Sequence, residues 1–221
     1  MSKINLENIT LVAMTSVNIA ETIKAITYSC KDINFGSVKL ITHEIPNNLP
    51  SFIEYNYIDK IDNIDDWNYK IIFHLHEYIQ TEFAILIHDD GFIVNADSWR
   101  DDFLNYDYIG APWSHNHLLD RDGKQIKVGN SVSIRSHKLL KIPSEKNMPW
   151  IKYDNNYNED TQICVWNRNL FLDNGIKFAD FDIAKYFSHE EYFKEYDGIK
   201  PFCFHNFGGL KNGEYKKIVE L

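Results

Sequence analysis

Apolar and polar positions divide the chain into a β-α-β opening and a longer second part. Asn8 to Val17 is rich in β-formers and ends on the small hydroxyl residues Thr15 and Ser16. A helix is predicted next: Asn18 suits its cap, and Ile19, Ile23 and Ile26 share one face. Ser37 to Glu44 reads as a second strand, closed by the turn chemistry of the stretch from Ile45 to Pro50. Strand, helix and strand in that order build a parallel sheet through a right-handed crossover.

Further on, Asp65 and Asp66 lead into a predicted helix in which Trp67, Ile71, His74 with Leu75, and Tyr78 recur at helical spacing. Phe83 to Ile87 is apolar without alternation, which predicts a strand buried on both faces. It stops abruptly at His88-Asp89-Asp90-Gly91. Trp99 to Tyr106 predicts a short helix, Tyr108 to Trp113 an extended piece, and Ser114 to Lys127 a mobile loop. Val128 to Ser136 turns into a strand or the start of a helix. Asn158 is expected to cap a helix from Glu159 to about Asp173, stopped by Gly175. The stretches Ile176 to Asp180, Ile183 to Phe187 and Pro201 to His205 complete the pattern. No linker interrupts it, so one α/β domain is expected over residues 1–221.

Composition narrows the function. With 44% hydrophobic and 25% charged residues, the chain can bury a core. A net charge of −9 with no basic cluster argues against a broad nucleic-acid or anionic-membrane footprint. It leaves room for a small anionic ligand held by a metal or a few donors. No basic leader followed by an apolar stretch is visible, and no apolar run is long enough for a membrane span. Cys30, Cys164 and Cys203 are widely separated, which fits a reducing compartment, and a cytoplasmic location is expected.

The sharpest chemistry is His88-Asp89-Asp90-Gly91 at the carboxyl end of a buried strand, where open α/β sheets bind ligands. Adjacent carboxylates repel, and Mg²⁺ or Mn²⁺, which prefer hard oxygen ligands, would offset that. Asp-Gly is also a short hairpin signal, and the two readings are compatible. In Asn158-Glu159-Asp160, the helix dipole favours carboxylates in a first turn, and one of them can also act as a general base. His205, among aromatics, is a packing residue unless the fold returns it to the Asp89/Asp90 crevice. Zinc is not expected at His74-x-His76 or His115-x-His117, since neither has a matched ligand pair. Val128-Gly129-Asn130-Ser131 with Arg135 is either an anion nest or a turn into a strand. Walker A, GxGxxG and GxSxG sequences are absent, so P-loop, dinucleotide and hydrolase-elbow readings lack support.

Five segments stand in a distinctive order: LIHDDGFIVNADSWRDDFLNYDYIGAPW (Leu86 to Trp113), VGNSVSIRSHKLL (Val128 to Leu140), NEDTQIC (Asn158 to Cys164), KFADFDIAKYFSHE (Lys177 to Glu190) and PFCFHNF (Pro201 to Phe207). Together they resemble the glycosyltransferase-like family described as DUF5672, similar to GT-A nucleotide-sugar transferases, over roughly residues 65–207. The resemblance implies a GT-A, Rossmann-like fold: a mixed, mostly parallel sheet flanked by helices. It implies metal-dependent transfer of a sugar from a nucleotide-diphosphate donor, UDP-linked, to a glycan or other hydroxyl acceptor. By position, Asp90 would hold the metal and His205 would complete its shell. His88 stands at the first position of the DxD motif, where Asp is commoner, and Asp89 would share the ribose contact. Thr15, Ser16 and Val17 would line the base and ribose. Asp160 matches the general base of inverting enzymes, with Glu159 as its substitute. Trp113, Asn130 and Arg135 would border donor sugar or acceptor. Ser131-Val132-Ser133 adds bulk where family members carry a Gly-Gly pair, and the Ser114–Lys127 loop is the expected lid. The alternatives are a DNA-base acceptor, served by Arg121, Lys124 and Lys127, a non-catalytic carbohydrate binder, and a nucleotidyltransferase.

Overall fold

The computed structural model describes residues 3–114, 118–153 and 155–206. β1 (Ile4–Met14), α1 (Ile19–Ser29) and β2 (Ile33–Thr42) form the expected unit, with β1 and β2 parallel from Thr10↔Ser37 to Met14↔Ile41. β3 (Glu54–Tyr57), which the sequence did not predict, adds a parallel edge beside β2. α2 (Ile64–Phe73) leads back to β4 (Phe83–Leu86), parallel to β1 on its other side. β5 (Tyr108–Pro112) and β6 (Val128–Ser136) then run antiparallel to each other, and β6 antiparallel to β4. The six-stranded order is β3-β2-β1-β4-β6-β5.

Central strands are buried on both faces, and their alternation feeds two cores. Leu11, Ala13, Ile85 and Ile87 pack toward Ala25 and Ile26 of α1 and toward Phe187. Val12, Met14, Ala84 and Leu86 pack toward Ile71 and Ile72 of α2, and toward Leu139 and Leu140 of α3 (His137–Glu145). α4 (Glu159–Thr161) packs against β6, Phe171 of α5 (Arg168–Asp173) joins the second core, and α6 (Phe181–Phe187) packs against β5 and supplies Ala184 and Phe187 to the first. A two-residue parallel ladder closes the described chain: β7 (Ser188–His189) on β8 (Cys203–Phe204).

Several expected helices are broken, each for a local reason. The helix through Tyr78 ends at Phe73, and a 3₁₀ turn, Leu75–Tyr78, follows. Trp99 to Tyr106 is not one helix: 3₁₀ turns occupy Ala96–Ser98 and Asp101–Asn105. Here Trp99 Nε1 donates to Asp101 at 3.0 Å and Arg100 Nε to Asp102 at 3.0 Å, side-chain pairs two residues apart that an α-helix does not bring face to face. Between α4 and α5 the chain makes a π turn, Gln162–Trp166, with the Asn167 N–H on the Gln162 carbonyl at 3.0 Å while the Asn167 side-chain amide donates to the Pro149 carbonyl at 3.1 Å. Asn158 makes no side-chain cap. Neither does Asn18, which adopts a left-handed φ of 48°. The stretch expected to be a mobile loop is in part a hairpin: Leu119 bridges Gln125, and Ile126 is buried with its N–H on Leu118 at 2.8 Å. His115 and His117 lie outside the described residues. Among the described residues, no helix is long and apolar enough to cross a membrane.

Candidate active site

Val12 of β1 pairs with Leu86 of β4, so the loops that follow both strands emerge side by side. After β1, Thr15 folds on itself: its hydroxyl donates to the Val17 carbonyl at 2.6 Å and accepts the Val17 N–H at 3.1 Å. Ser16 Oγ accepts the Ile61 N–H at 2.9 Å. Asn18, freed from capping by its left-handed backbone, donates to Asp89 Oδ2 at 2.9 Å and ties the two loops together.

After β4, His88 and Gly91 bond through their backbones, at 2.7 and 3.4 Å, which makes the Asp-Gly turn and sets Asp89 and Asp90 at its tip. Thr15, Ser16 and Val17 line one cleft of about 440 Å³ together with His88, Asp89, Asp90 and His205. Trp67 forms part of its wall, held by an Nε1 bond to the Met14 carbonyl at 2.7 Å. A larger groove of about 840 Å³ lies between α1 and β2 and contains none of these residues.

Burial holds the His88 imidazole well below the usual histidine range, reinforced by the charges of His205 and Arg135, so the ring is neutral. Its Nε2 is buried without a hydrogen-bond partner among the described residues. Burial also raises Asp89, against the Asn18 bond, and Asp90 raises it further. His205 enters from β8, with its backbone N–H on His189 at 2.9 Å. Its Nε2 stands 3.6 Å from Asp90 Oδ1, and its Nδ1 3.1 Å from Glu190 Oε1. Burial lowers its pKa, but the Glu190 bond and the charges of Glu190, Asp90 and Asp160 outweigh that and leave it raised. Gly91 makes the approach possible, because a Cβ there would stand 2.7 Å from the His205 ring and 2.6 Å from Val132.

Among the described residues, no three His, Cys, Asp or Glu side chains converge as a ready metal cage. What is present is a carboxylate and an imidazole nitrogen facing each other beyond hydrogen-bond distance. A carboxylate on the far ring nitrogen, as Glu190 provides, is the usual support of a metal-ligating histidine. Two such donors fit a hard cation that takes its remaining ligands from phosphate oxygens and water.

Asp160 opens onto a second cavity of about 260 Å³, lined also by Trp113, Asn158, Thr161 and Glu190. Its carboxylate accepts the Asn130 N–H at 3.2 Å and the Thr161 N–H at 2.7 Å. Burial raises its pKa and Glu190 adds to the rise, while those two N–H bonds oppose it. Asn130, at a φ of 88°, joins the two cavities: its side-chain amide donates to Glu190 and lies 3.1 Å from His205 Nδ1.

Arg135, expected to border donor sugar or acceptor, and Glu159, expected as the substitute base, are buried against each other and line neither cavity. Arg135 is 0% exposed and donates to the Glu159 carboxylate, itself 2% exposed, at 3.0 Å. The pair lies beneath the site and reaches neither cavity. Trp113 is also largely buried. It packs on Gly129, where a Cβ would fall 1.8 Å from its ring, and it borders the Asp160 cavity rather than the Asp89/Asp90 cleft. Glu190, Asn18 and Trp67 had no place among the site residues expected from sequence. Glu190 closes one of the five distinctive segments, yet only the fold brings it to His205.

The mixed sheet with its cleft at the strand ends is a GT-A fold. The galactosyltransferase LgtC, in complex with donor and acceptor sugar analogs, superposes with a TM-score of 0.58 over 96% of this chain and 95% of its own, at 11% sequence identity. An active-site mutant of LgtC gives 0.59 over the same shares, also at 11% identity. The family profile described as "Protein of unknown function (DUF5672)" matches residues 50–205. The chain belongs to the DUF5672 family. No curated protein matches the sequence.

Proposed function

We propose that the chain is a glycosyltransferase that moves a sugar from a UDP-linked donor to an acceptor hydroxyl with inversion. One observation carries this reading: the Thr15–Val17 loop, the Asp89/Asp90 turn and His205 share a cleft, and Asp160 waits in the adjoining cavity. Thr15, Ser16 and Val17 receive the base and ribose, Asp89 the ribose hydroxyls, and the Asp90 side of the turn the diphosphate. The acceptor enters the Asp160 cavity beside Trp113. Its oxygen forms the new bond to C1 and passes its proton to Asp160. The C1–O bond to the diphosphate breaks on the opposite face, and its electron pair leaves with the nucleotide. The raised pKa of Asp160, caused mainly by burial, makes it a stronger base than an exposed aspartate. A divalent cation, Mn²⁺ or Mg²⁺, held by Asp90 and His205 would act as a Lewis acid toward the leaving charge. Three buried, unpaired cysteines suit work in the cytoplasm.

A small hydroxyl acceptor fits better than DNA. Arg121 is bound to Asp173 at 2.6 Å, and Asp120 and Asp180 share the pocket of Lys124 and Lys127. The test is nucleotide release by the folded protein with Mn²⁺ and a panel of UDP-sugars. Release that needs Mn²⁺ and disappears in Asp90→Ala, with the thermal transition unchanged, supports the reading. A folded protein that neither binds nor turns over any donor overturns it.

A further inference from the structure

We infer that Glu190 is a positioning residue that sets the tautomer of His205 and so aims its Nε2 lone pair at Asp90. What that lone pair holds, a cation on a donor diphosphate, rests on the glycosyltransferase reading; the tautomer itself does not. A carboxylate only accepts hydrogen bonds, so a neutral ring whose Nδ1 faces Glu190 Oε1 at 3.1 Å carries its proton on Nδ1. Nε2 is then unprotonated, 3.6 Å from Asp90 Oδ1.

A competing instruction lies beside it. Asn130 Nδ2 is 3.1 Å from the same Nδ1, and an amide NH₂ only donates. Left alone with the ring, it would demand the opposite tautomer, with the proton on Nε2 and the metal-facing lone pair gone. Glu190 settles the conflict by accepting from both neighbours, Oε2 taking the Asn130 amide and Oε1 the ring.

The short ladder at the end of the fold explains the register. Ser188 pairs with Cys203 and His189 with Phe204, so Glu190 and His205 are the next two residues on parallel neighbours. The His205 N–H on His189 at 2.9 Å extends that pairing. Because the Asn130 backbone N–H also holds Asp160 at 3.2 Å, one carboxylate reaches both the cation side and the base side.

Nitrogen-15 NMR of the His205 ring, in metal-free protein at alkaline pH where the ring is neutral, tests this directly. The wild type and Glu190→Gln, whose amide oxygen still accepts, should show Nδ1–H; Glu190→Ala should show Nε2–H. In parallel, Mn²⁺ affinity measured by electron paramagnetic resonance with UDP present should fall about 10–100-fold in Glu190→Ala and recover in large part in Glu190→Gln. Nε2–H in the wild type overturns the inference, as does a Glu190→Ala protein with unchanged tautomer and affinity. A wild type that shows Nδ1–H but binds no Mn²⁺ with UDP supports the tautomer assignment and overturns the donor-site reading instead.

Discussion

Glu159 and Asp160 are adjacent in sequence and have opposite fates, set by which side of the chain meets solvent. Glu159 is sealed against Arg135, and burial raises its pKa despite that partner. Asp160 opens onto a cavity, where burial raises its pKa although two backbone N–H groups favour its ionised form. Asp160→Asn should lower kcat by about 10²–10⁴-fold, the usual worth of a positioned base, with little change in donor KM. The sign of the pH dependence follows from the raised pKa: protonated Asp160 cannot take the acceptor proton. Wild-type kcat should therefore climb with pH through a value above the ordinary aspartate range, and the climb should vanish in Asp160→Asn. A full acid limb retained by the variant would assign the base elsewhere. Neither carboxylate's role was decidable from sequence, because nothing in Asn158-Glu159-Asp160 reports which of the two is buried.

At the scale of elements, β6 organises the site. Its first residues carry Gly129, under the Trp113 ring, and Asn130, between the cavities; its far end carries Arg135, clipped to α4. Arg135→Met should cost about 3–5 kcal/mol by leaving Glu159 buried without its partner, and adding Glu159→Leu should restore much of that in urea unfolding at neutral pH. Equal stability of wild type and Arg135→Met would remove the clip from the account. Gly129→Ala should displace the indole of Trp113, destabilise the fold by about 1–3 kcal/mol and weaken acceptor KM more than donor KM. β4 was legible because it is apolar without alternation, the mark of a strand covered on two faces, and β1 because it is rich in β-formers from Asn8, although the strand itself begins at Ile4. β3 was not: only four residues long and half polar, it shows no buried position. The break between α4 and α5 was equally hidden, since no Gly or Pro marks the π turn and the side-chain bond of Asn167 goes to Pro149, distant in sequence. Asn18 was misread as a cap because its useful bond, to Asp89, is made across the fold.

For the whole molecule, the relevant quantity is charge. A chain at −9 repels a diphosphate, and the cleft proposed to receive one presents Asp89 and Asp90. Donor binding should therefore depend steeply on the cation. Calorimetry with UDP should show affinity lost in chelator, and any residual metal-free binding should strengthen with added salt, because screening weakens repulsion here. Tight metal-free binding that weakens with salt would mean that cationic side chains, not a cation, receive the phosphate. The position of Asp90 at a strand end was readable from the sequence. Its partner His205 was readable only as a condition, that the fold return it to the crevice, and pairing on His189 is what does so.

That return has a consequence for how the protein comes into being. A nascent chain leaves the ribosome amino end first, with β1, β2 and β4 able to form the centre of the sheet well before the β7–β8 ladder is synthesised. His205 is among the last of the described residues to appear, yet it faces a turn made early. Distant pairings of this kind form late, since the loop must close before the contact rewards it. Synthesis arrested before β8 would leave a chain whose central strands are all present and whose cleft lacks the imidazole, so the proposed donor site is completed later than the sheet that carries it.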